Sequence, residues 1–212
     1  MGRFLLSLSL LLILLMACNN KTATGNTSLF NGKTFSGWEG DTLSTWRIIN
    51  ETIIGGSLDE TVPHNDFLCT KRSYTNFILK LKIKLTGHEG FINSGIQFRS
   101  KRLSDPPYEM TGYQADWGNY YWASLYDESR RNKTLMAPDS LEVLGWINVN
   151  DWNDYEIRTE DRRIRLYING HKTVDYIEKD LDIPQEGLIG LQIHGDGKAL
   201  VAFKDIFIEE LE

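Results

Sequence analysis

Apolar and polar residues alternate along much of the chain beyond residue 44. The clearest run is FILKLKIKL (77–85), where every second residue from Phe77 to Leu85 is apolar and the residues between them include three lysines. A period of two is typical of a β-strand with one face buried and the other in water. The same alternation recurs at residues 94–100, 152–160, 163–168, 171–176, 187–195 and 199–211. The pattern therefore predicts a protein made largely of short strands.

The segments between these runs are short and rich in Gly, Asn, Asp and Pro. Asn169-Gly170 lies between two alternating runs and predicts a hairpin, because this pair suits a turn in which both central residues have positive φ. No stretch of ten or more residues keeps an apolar period of 3.6, and short helices are expected only near 127–136 or 179–184. We predict an all-β fold, an antiparallel two-sheet sandwich or jelly roll, as a single domain over residues 29–212.

The first 28 residues have a different character. One cation, Arg3, precedes an apolar run that is too short for a stable membrane span, so residues 1–17 are predicted to be a secretory signal peptide. Leu15-Met16-Ala17-Cys18 resembles a bacterial lipobox, which implies lipidation of Cys18; an ordinary signal peptide with a chance Cys is the alternative. Residues 18–28 would be a polar, disordered tether. No acidic residue follows Cys18 directly, which by resemblance to sorted lipoproteins implies the outer membrane, facing the periplasm or the cell surface.

Composition narrows the function classes. The net charge is −6, and it becomes one unit more negative if the leader with Arg3 is removed. No basic block or stripe suits nucleic acid, so no nucleic-acid partner is expected. Without the leader and Cys18, Cys69 is the single cysteine, which rules out an internal disulfide. The sequence has no C-x-x-C pair, H-E-x-x-H run or glycine-rich phosphate loop.

Three strands carry an unusual polar face. Instead of Lys or Glu they place amides and forked groups opposite their apolar residues, which suits hydrogen bonding to sugar hydroxyls. These residues are Gln97 and Arg99, Gln114 and Asp116, and Gln192 and His194. If the strands are neighbours, Arg99, Asp116 and His194 would share one cleft on the outer face of a sheet. The alternative is a structural Arg99–Asp116 ion pair, with His194 hydrogen bonded at a strand end.

An aromatic run follows Asp116 directly. Trp117, Tyr120, Tyr121 and Trp122 surround Gly118-Asn119, so some of these rings are expected on a loop at the sheet edge, with Tyr126 further along. Rings with a polar tip can stack on the C–H face of a sugar while still hydrogen bonding. Core packing is the alternative for each ring, and a mixed role is expected for the run.

These features resemble the 3-keto-disaccharide hydrolase family of secreted bacterial domains. The matching stretches come in the family's order: LFNGKTFSGW (29–38), SGIQFRS (94–100), GYQAD (112–116), LYDESRR (125–131), WNDYEIR (152–158), RLYING (165–170) and GLIGLQIHG (187–195). The resemblance implies a concanavalin-like jelly roll of the lectin and glucanase type that acts on sugars oxidised to a ketone at carbon 3. One departure is Gln114, which stands where a Glu is frequent in the family.

That chemistry implies tasks for the residues of the polar strands and for the aromatic rings. A ketone at carbon 3 acidifies the carbon 2 hydrogen, so a base can remove it and the aglycone can leave from carbon 1. We expect Asp116 or His194 as base and Arg99 as the cation that steadies the enolate. The substrate would be bound by Gln97, Gln114, Gln192, Trp117, Trp122 and Tyr126. No cofactor is expected; the alternative is a divalent metal held by Asp116 and His194 in place of Arg99.

Two other functions fit the same residues. A conventional glycoside hydrolase needs two carboxylates about 5 to 10 Å apart. Asp116 could pair with Glu128 or Glu109 for this purpose, although the E-x-D-x-x-E run of jelly-roll glucanases is missing. The second alternative is a lipid-tethered carbohydrate-binding module without catalysis. In every case the expected partners are an oligosaccharide or glycoside and, through Cys18, the membrane.

Overall fold

The computed structural model of the protein describes residues 25–212, and this part of the chain forms strands, turns and one short helix. The strands are β1 Thr27–Ser28, β2 Trp38–Glu39, β3 Trp46–Ile49, β4 Thr52–Gly56, β5 Asp66–Thr70, β6 Phe77–Gly90, β7 Asn93–Arg102, β8 Met110–Gly118, β9 Leu125–Glu128, β10 Lys133–Met136, β11 Asn153–Glu160, β12 Arg163–Ile168, β13 His171–Ile177, β14 Leu188–Ile193 and β15 Gly197–Glu210. Helix α1 spans Ser140–Leu144. Over residues 25–212, no helix is long and apolar enough to cross a membrane.

The strands form two sheets, and all of their pairings are antiparallel. The back sheet has the order β13-β12-β11-β6-β15-β4-β3, with β1 paired to β15. The front sheet has the order β10-β9-β8-β7-β14-β5-β2. Neighbours in each sheet are often distant in sequence, as expected for a jelly roll and not for a simple meander. The predicted all-β, two-sheet jelly-roll class is confirmed.

The core lies between the two sheets, where the apolar half of each alternating strand points inward. Leu79, Leu81 and Ile83 of β6 are buried, whereas Lys80 between them is exposed. On the front sheet, Ile96 and Ala115 are paired neighbours with no exposed surface, and both face the same core. Because the side-chain period is two, the neighbours of these two residues lie on the outer face of the front sheet. They are Gly95 and Gln97 on β7 and Gln114 and Asp116 on β8.

The predicted hairpin is confirmed at the turn between β12 and β13. Asn169 has φ 48° and Gly170 has φ 83°, so both central residues adopt the left-handed region that the two-residue turn requires. Asn169 also donates from Nδ2 to the Trp146 carbonyl at 2.7 Å, which ties the turn to the loop after α1.

The predicted helices are wrong. Residues 127–136 contain the end of β9 and all of β10, which pair with each other, and residues 179–184 contain no helix. The helix lies instead at Ser140–Leu144, where the Asp139 side chain accepts from the Leu141 and Glu142 N–H groups at its first turn. The Asp139 cap and the burial of one apolar residue, Val143, fix this short helix. A helix with a single buried residue shows no 3.6-residue apolar repeat, so the sequence pattern does not reveal it.

The boundary of the domain also differs from the prediction. Thr27 and Ser28, placed in the tether, pair with Ile208 and Phe207 of β15, so the end of that segment belongs to the sheet. The predicted signal peptide and Cys18 lie outside the described residues.

Candidate active site

The three strands with the unusual polar face are neighbours in the front sheet. β8 pairs with β7 and β7 pairs with β14, in a register that sets Gln97 opposite Gln114 and Gly95 opposite both Asp116 and Gln192. Their polar side chains therefore lie on one face, the outer face of the front sheet. The condition set for a shared cleft, that these three strands are neighbours, is therefore met.

A cleft of about 170 Å³ opens at the end of this polar face. Two predicted catalytic residues, Asp116 and His194, lie in its wall. The full lining is Phe91, Asn93, Gln114, Asp116, Tyr121, Tyr126, Glu128 and His194. Pockets for drug-sized ligands measure roughly 300–1,000 Å³, so this cleft has room for a single sugar ring.

Asp116 is the most deeply buried carboxyl group of the cleft, with 4% of its surface exposed. Its Oδ1 accepts hydrogen bonds from Asn93 Nδ2 at 2.8 Å and from the Trp117 N–H at 2.9 Å. Burial raises the pKa of Asp116 to about 7, because desolvation outweighs the hydrogen bonds that favour the charged form. Near neutral pH this carboxyl group can therefore both take up and release a proton.

His194 faces the cleft from the end of β14. Its Nδ1 lies 2.8 Å from the Gly195 carbonyl oxygen. A carbonyl can only accept, so the neutral ring carries its proton on Nδ1 and presents an unprotonated Nε2. The ring of Phe91 meets the imidazole edge to face at 4.6 Å and fixes its plane. His194 is therefore held as a hydrogen-bond acceptor or a base.

Glu128 and Tyr126 come from β9, on the opposite side of the cleft from His194. Burial raises the pKa of Glu128 to about 7, with smaller contributions from the nearby charges of Glu109 and Asp116. Burial also raises the pKa of Tyr126, so its hydroxyl stays protonated at neutral pH. The cleft thus combines two carboxyl groups that titrate near neutrality with a phenol that can donate a hydrogen bond.

The three glutamines form a chain of hydrogen bonds. Gln97 Nε2 donates to Gln114 Oε1 at 2.8 Å, and Gln114 Nε2 donates to Gln192 Oε1 at 3.1 Å. Only Gln114 lines the cleft; Gln97 and Gln192 have no exposed surface. The expectation that Gln97 and Gln192 contact substrate is therefore wrong, and their task is to fix the Gln114 amide.

A loop crossing the polar face explains this burial. Asn65 Nδ2 donates to Glu109 Oε1 at 2.6 Å. Asn65 precedes β5 and Glu109 precedes β8, and the strands β7 and β14 lie between these two in the sheet. The segment before β8 therefore passes over the outer face and covers Gln97 and Gln192.

Arg99 does not join the cleft, so its predicted place beside Asp116 and His194 is wrong. It lies in a bulge of β7 between Phe98 and Lys101, with φ 48°. The bulge interrupts the alternation of the strand, so the Arg99 side chain does not follow Gln97 on the polar face. The guanidinium donates instead to Thr75 O at 2.9 Å, Gln185 Oε1 at 2.5 Å and Asn76 Oδ1 at 3.1 Å. These bonds tie β7 to two loops, and they also leave no ion pair with Asp116.

The aromatic residues divide between core and surface. Trp117 is 1% exposed and packs edge to face against Tyr155 and Trp122 in the core, so its predicted stacking role is wrong. Trp122 is half-buried and lines a separate groove beside the cleft. Tyr126 alone of the three predicted rings lines the cleft itself.

Four lining residues were given no role in a 3-keto-sugar site by the sequence reasoning. Asn93 lies two residues before Gly95 on β7, so the period of two could have placed it on the polar face. Glu128 follows Tyr126 by the same period, but it was considered only as a second carboxylate. Phe91 and Tyr121 lie on loops at either side of the cleft, where the alternation of the strands gives no information.

The cleft has few of the ligands that a metal ion needs. Within residues 25–212, no group of three or more His, Cys, Asp or Glu side chains is arranged to hold a metal ion. Asp116 and His194, the pair considered as metal ligands, do line the same cleft. The divalent-metal alternative stays a prediction.

Solved structures of similar fold include proteins named as sugar-active or sugar-binding. A Parabacteroides distasonis ATCC 8503 protein named as a candidate glycosyl hydrolase aligns with 23% identity and a TM-score of 0.66, over 89% of this chain and 94% of its own. The carbohydrate-binding module CBM66 of Bacillus subtilis aligns with 18% identity and a TM-score of 0.62, over 82% and 96%. The Bacillus licheniformis β-glucanase aligns with 10% identity and a TM-score of 0.58, over 91% and 100%. At such identities the likeness concerns the fold alone.

The sequence comparisons gave one match. No curated protein matches the chain. The sequence model of the 3-keto-alpha-glucoside-1,2-lyase-like domain matches residues 25–209, which is nearly all of the part that the structure describes. With the jelly roll and the cleft of its front sheet, the chain belongs to the 3-keto-alpha-glucoside-1,2-lyase-like domain family.

Proposed function

We propose that the protein cleaves glycosides whose glucosyl ring carries a ketone at carbon 3, by removing the proton on carbon 2. The observation that supports this most is the pairing of a buried carboxyl group, Asp116, with an imidazole acceptor, His194, in a cleft the size of one sugar ring. A reaction that begins with abstraction of a weakly acidic C–H needs a base sheltered from water, and this cleft supplies two candidates.

Asp116 and His194 are the candidate bases. Asp116 Oδ1 accepts hydrogen bonds from Asn93 and the Trp117 N–H, and a hydrogen bond from the Gln114 side chain also favours the charged carboxylate, so these three neighbours hold the group in place as a base. A carboxylate that is costly to keep charged in a buried site is a stronger base than one in water. His194 Nε2, at the end of β14, is the other candidate acceptor for the carbon 2 proton.

Glu128 and Tyr126 supply the remaining tasks. Tyr126 keeps its proton and takes the place predicted for Arg99, as the donor to the oxygen on carbon 3. With its pKa raised to about 7, Glu128 is partly protonated at neutral pH and can give a proton to the departing glycosidic oxygen.

The step balances without a cofactor. The base takes the carbon 2 proton, and the electron pair of that C–H bond forms the enolate of the carbon 3 ketone. The enolate then re-forms the ketone, a double bond forms between carbons 1 and 2, and the carbon 1–oxygen bond breaks. The aglycone leaves with the proton from Glu128, and water added to the double bond gives the free 3-keto sugar as the net product of hydrolysis.

Turnover of 3-keto and unmodified α-glucosides with the same aglycone tests this function. We expect release of the aglycone from the keto sugar, and loss of that activity in Asp116→Ala or His194→Ala, whichever is the base. Arg99→Lys, outside the cleft, serves as the matched control. Full activity in both alanine variants would remove the site, and tight binding of intact glycan without any product would indicate a carbohydrate-binding module.

A conventional two-carboxylate hydrolase is the second candidate function. It is favoured by one observation, that Asp116 and Glu128 line the same cleft and both have a pKa raised to about 7. Cleavage of the unmodified glucoside at a rate similar to that of its 3-keto form would support this reaction over the elimination.

The proposal includes export and attachment to the outer membrane through lipid on Cys18, as the leader sequence implies. Labelling of cells with a radioactive fatty acid tests it, with Cys18→Ser as the variant and Cys69→Ala as the matched control. We expect the label to be lost in Cys18→Ser and kept in Cys69→Ala. We also expect the wild-type protein in the outer-membrane fraction. Label that survives Cys18→Ser would refute the lipid anchor.

A further inference from the structure

Asn65 does not line the cleft, yet its side chain binds the neighbours of two residues that do. Its Oδ1 accepts from the Gly195 N–H at 3.1 Å, directly after His194. Its Nδ2 donates to Glu109 Oε1 at 2.6 Å, at the end of the loop that crosses the polar face. Only one orientation of the amide satisfies both partners, because the oxygen can only accept and the nitrogen can only donate. Asn65 is therefore a fixed link between the two sides of the cleft.

Gly195 holds the imidazole of His194. The Gly195 carbonyl accepts from His194 Nδ1 at 2.8 Å, so the orientation of this residue determines where the unprotonated Nε2 points. The N–H of Gly195 is in turn held by Asn65. A Cβ on residue 195 would lie 2.7 Å from His64 Cα, so the segment that carries Asn65 packs directly against this turn. The position of the imidazole therefore depends on Asn65 and its segment.

Glu109 acts on the second reacting group, Glu128. Burial and, after it, the negative charge of Glu109 raise the pKa of Glu128. The other titratable groups around Glu128 are Asp116 on β8, Tyr126 and Asp127 on β9 and, across the cleft, His194. Because Asn65 fixes the Glu109 carboxylate by a donated hydrogen bond, the charge of Glu109 stays near Glu128.

We propose that Asn65 is a positioning residue of the cleft, which sets the orientation of His194 through Gly195 and the charge next to Glu128 through Glu109. This rests on the function proposed for the cleft, in which His194 is a candidate base and Glu128 is the acid. One side chain thus keeps two proton-transferring groups in a fixed relation. Asn65 itself touches no reacting atom.

The segment that carries Asn65 keeps its place without this side chain. The Val62 N–H donates to the Gly197 carbonyl at 3.0 Å, and the Asp196 N–H donates to the Val62 carbonyl at 2.9 Å. Both are backbone hydrogen bonds, so a substitution at residue 65 leaves them intact. Asn65→Ala therefore removes two side-chain hydrogen bonds from a segment that stays attached, and we expect the variant to fold.

Kinetics of Asn65→Ala on a 3-keto-α-glucoside give the first test. We expect kcat to fall about fivefold to tenfold, as for the loss of a hydrogen bond that orients a reacting group. KM should change little, because Asn65 does not line the cleft. The fall of kcat/KM above about pH 7 should move to lower pH, since the charge of Glu109 would no longer be held beside Glu128.

A second background separates positioning from a general loss of structure. Glu109→Gln keeps an acceptor for Asn65 and removes the charge, so by itself it should also move the fall of kcat/KM to lower pH. Asn65→Ala should then cause no further move in the Glu109→Gln background. Asn148→Ala, which removes a side-chain hydrogen bond to the Trp152 carbonyl outside the cleft lining, is the matched control. An equal move in both backgrounds, or a lower kcat with an unchanged pH profile, would overturn the proposal.

NMR without substrate keeps this inference separate from the proposed reaction. In Asn65→Ala we expect a lower titration midpoint for the Glu128 carboxyl carbon. We also expect the imidazole nitrogens of His194 to lose the signal of the neutral form protonated on Nδ1. Asn65→Asp keeps the acceptor for the Gly195 N–H and should keep the wild-type His194 signal. If the wild type turns over no keto sugar, the reaction fails and these spectra decide alone: an unchanged signal of either Glu128 or His194 in Asn65→Ala overturns the proposal.

Discussion

Asp116→Asn should make the protein more stable at neutral pH, and it should also abolish activity if Asp116, and not His194, is the base. The substitution keeps the acceptor oxygen that receives hydrogen bonds from Asn93 and the Trp117 N–H, and it removes a charge that burial disfavours. Burial raises the pKa of Asp116 from 3.8 to about 7. A shift of about three units corresponds to about 4 kcal/mol between the charged and neutral forms.

The direction with pH follows from that shift. Since the folded-state pKa lies above the unfolded value, the folded protein binds a proton that the unfolded chain releases. The stability that protonated Asp116 contributes is full below about pH 4 and is lost as the pH rises to about 7. Asp116→Asn removes this loss, so its gain over the wild type should be near zero at about pH 4 and about 2–4 kcal/mol at about pH 8.

Urea denaturation at several pH values measures this difference. Glu178→Gln is the control of opposite sign: burial raises its pKa, but hydrogen bonds from Arg131 and Tyr113 outweigh this and lower the pKa to about 2. Charged Glu178 therefore stabilises the fold above its unfolded pKa of 4.5, and the variant should lose stability at neutral pH. If Asp116→Asn were destabilised by the same amount at every pH, Asp116 would not be a buried carboxylate with a raised pKa.

Three further substitutions test the site. Glu128→Gln should abolish the loss of kcat/KM above about pH 7 that deprotonation of the acid causes, and an unchanged pH profile would remove Glu128 from that role. Gly95→Ala should lower kcat/KM in a folded protein, since a Cβ there would lie 2.9 Å from the Gln114 side chain; wild-type kinetics would show that Gln114 does not position substrate. Arg99→Lys should lower the free energy of unfolding, measured with urea, by about 1.5–3 kcal/mol. It should have little effect on kcat, and a large loss of kcat in the folded variant would show that Arg99 acts in the site.

The strands and their polar face were readable from sequence because they depend on a local rule. A period of two sets every second side chain of 77–85 on one face, whatever the rest of the chain does. The same rule placed Gln114 and Asp116 on the outer face and Ala115 in the core, and the structure bears this out.

The errors come from features that depend on distant parts of the chain. The rule of two fails at Arg99, where a bulge with positive φ interrupts the alternation. Gln192 is buried because a loop that ends at Glu109 crosses the sheet and meets Asn65, which no local pattern reports. Trp117 is in phase with the core residue Ala115, so its burial could have been predicted from the alternation had the aromatic run not been treated as a unit.

The central claim, that a base of this cleft removes the proton on carbon 2 of a 3-keto glucoside, is tested most directly by deuterium at that carbon. Release of the aglycone from a 3-keto-α-glucoside should be slower when carbon 2 carries deuterium. The wild type should also exchange the carbon 2 hydrogen with solvent, and this exchange should be slower in whichever of Asp116→Asn and His194→Ala removes the base. Cleavage at an equal rate for both isotopes, with no exchange and with full activity on the unmodified glucoside, would contradict the account.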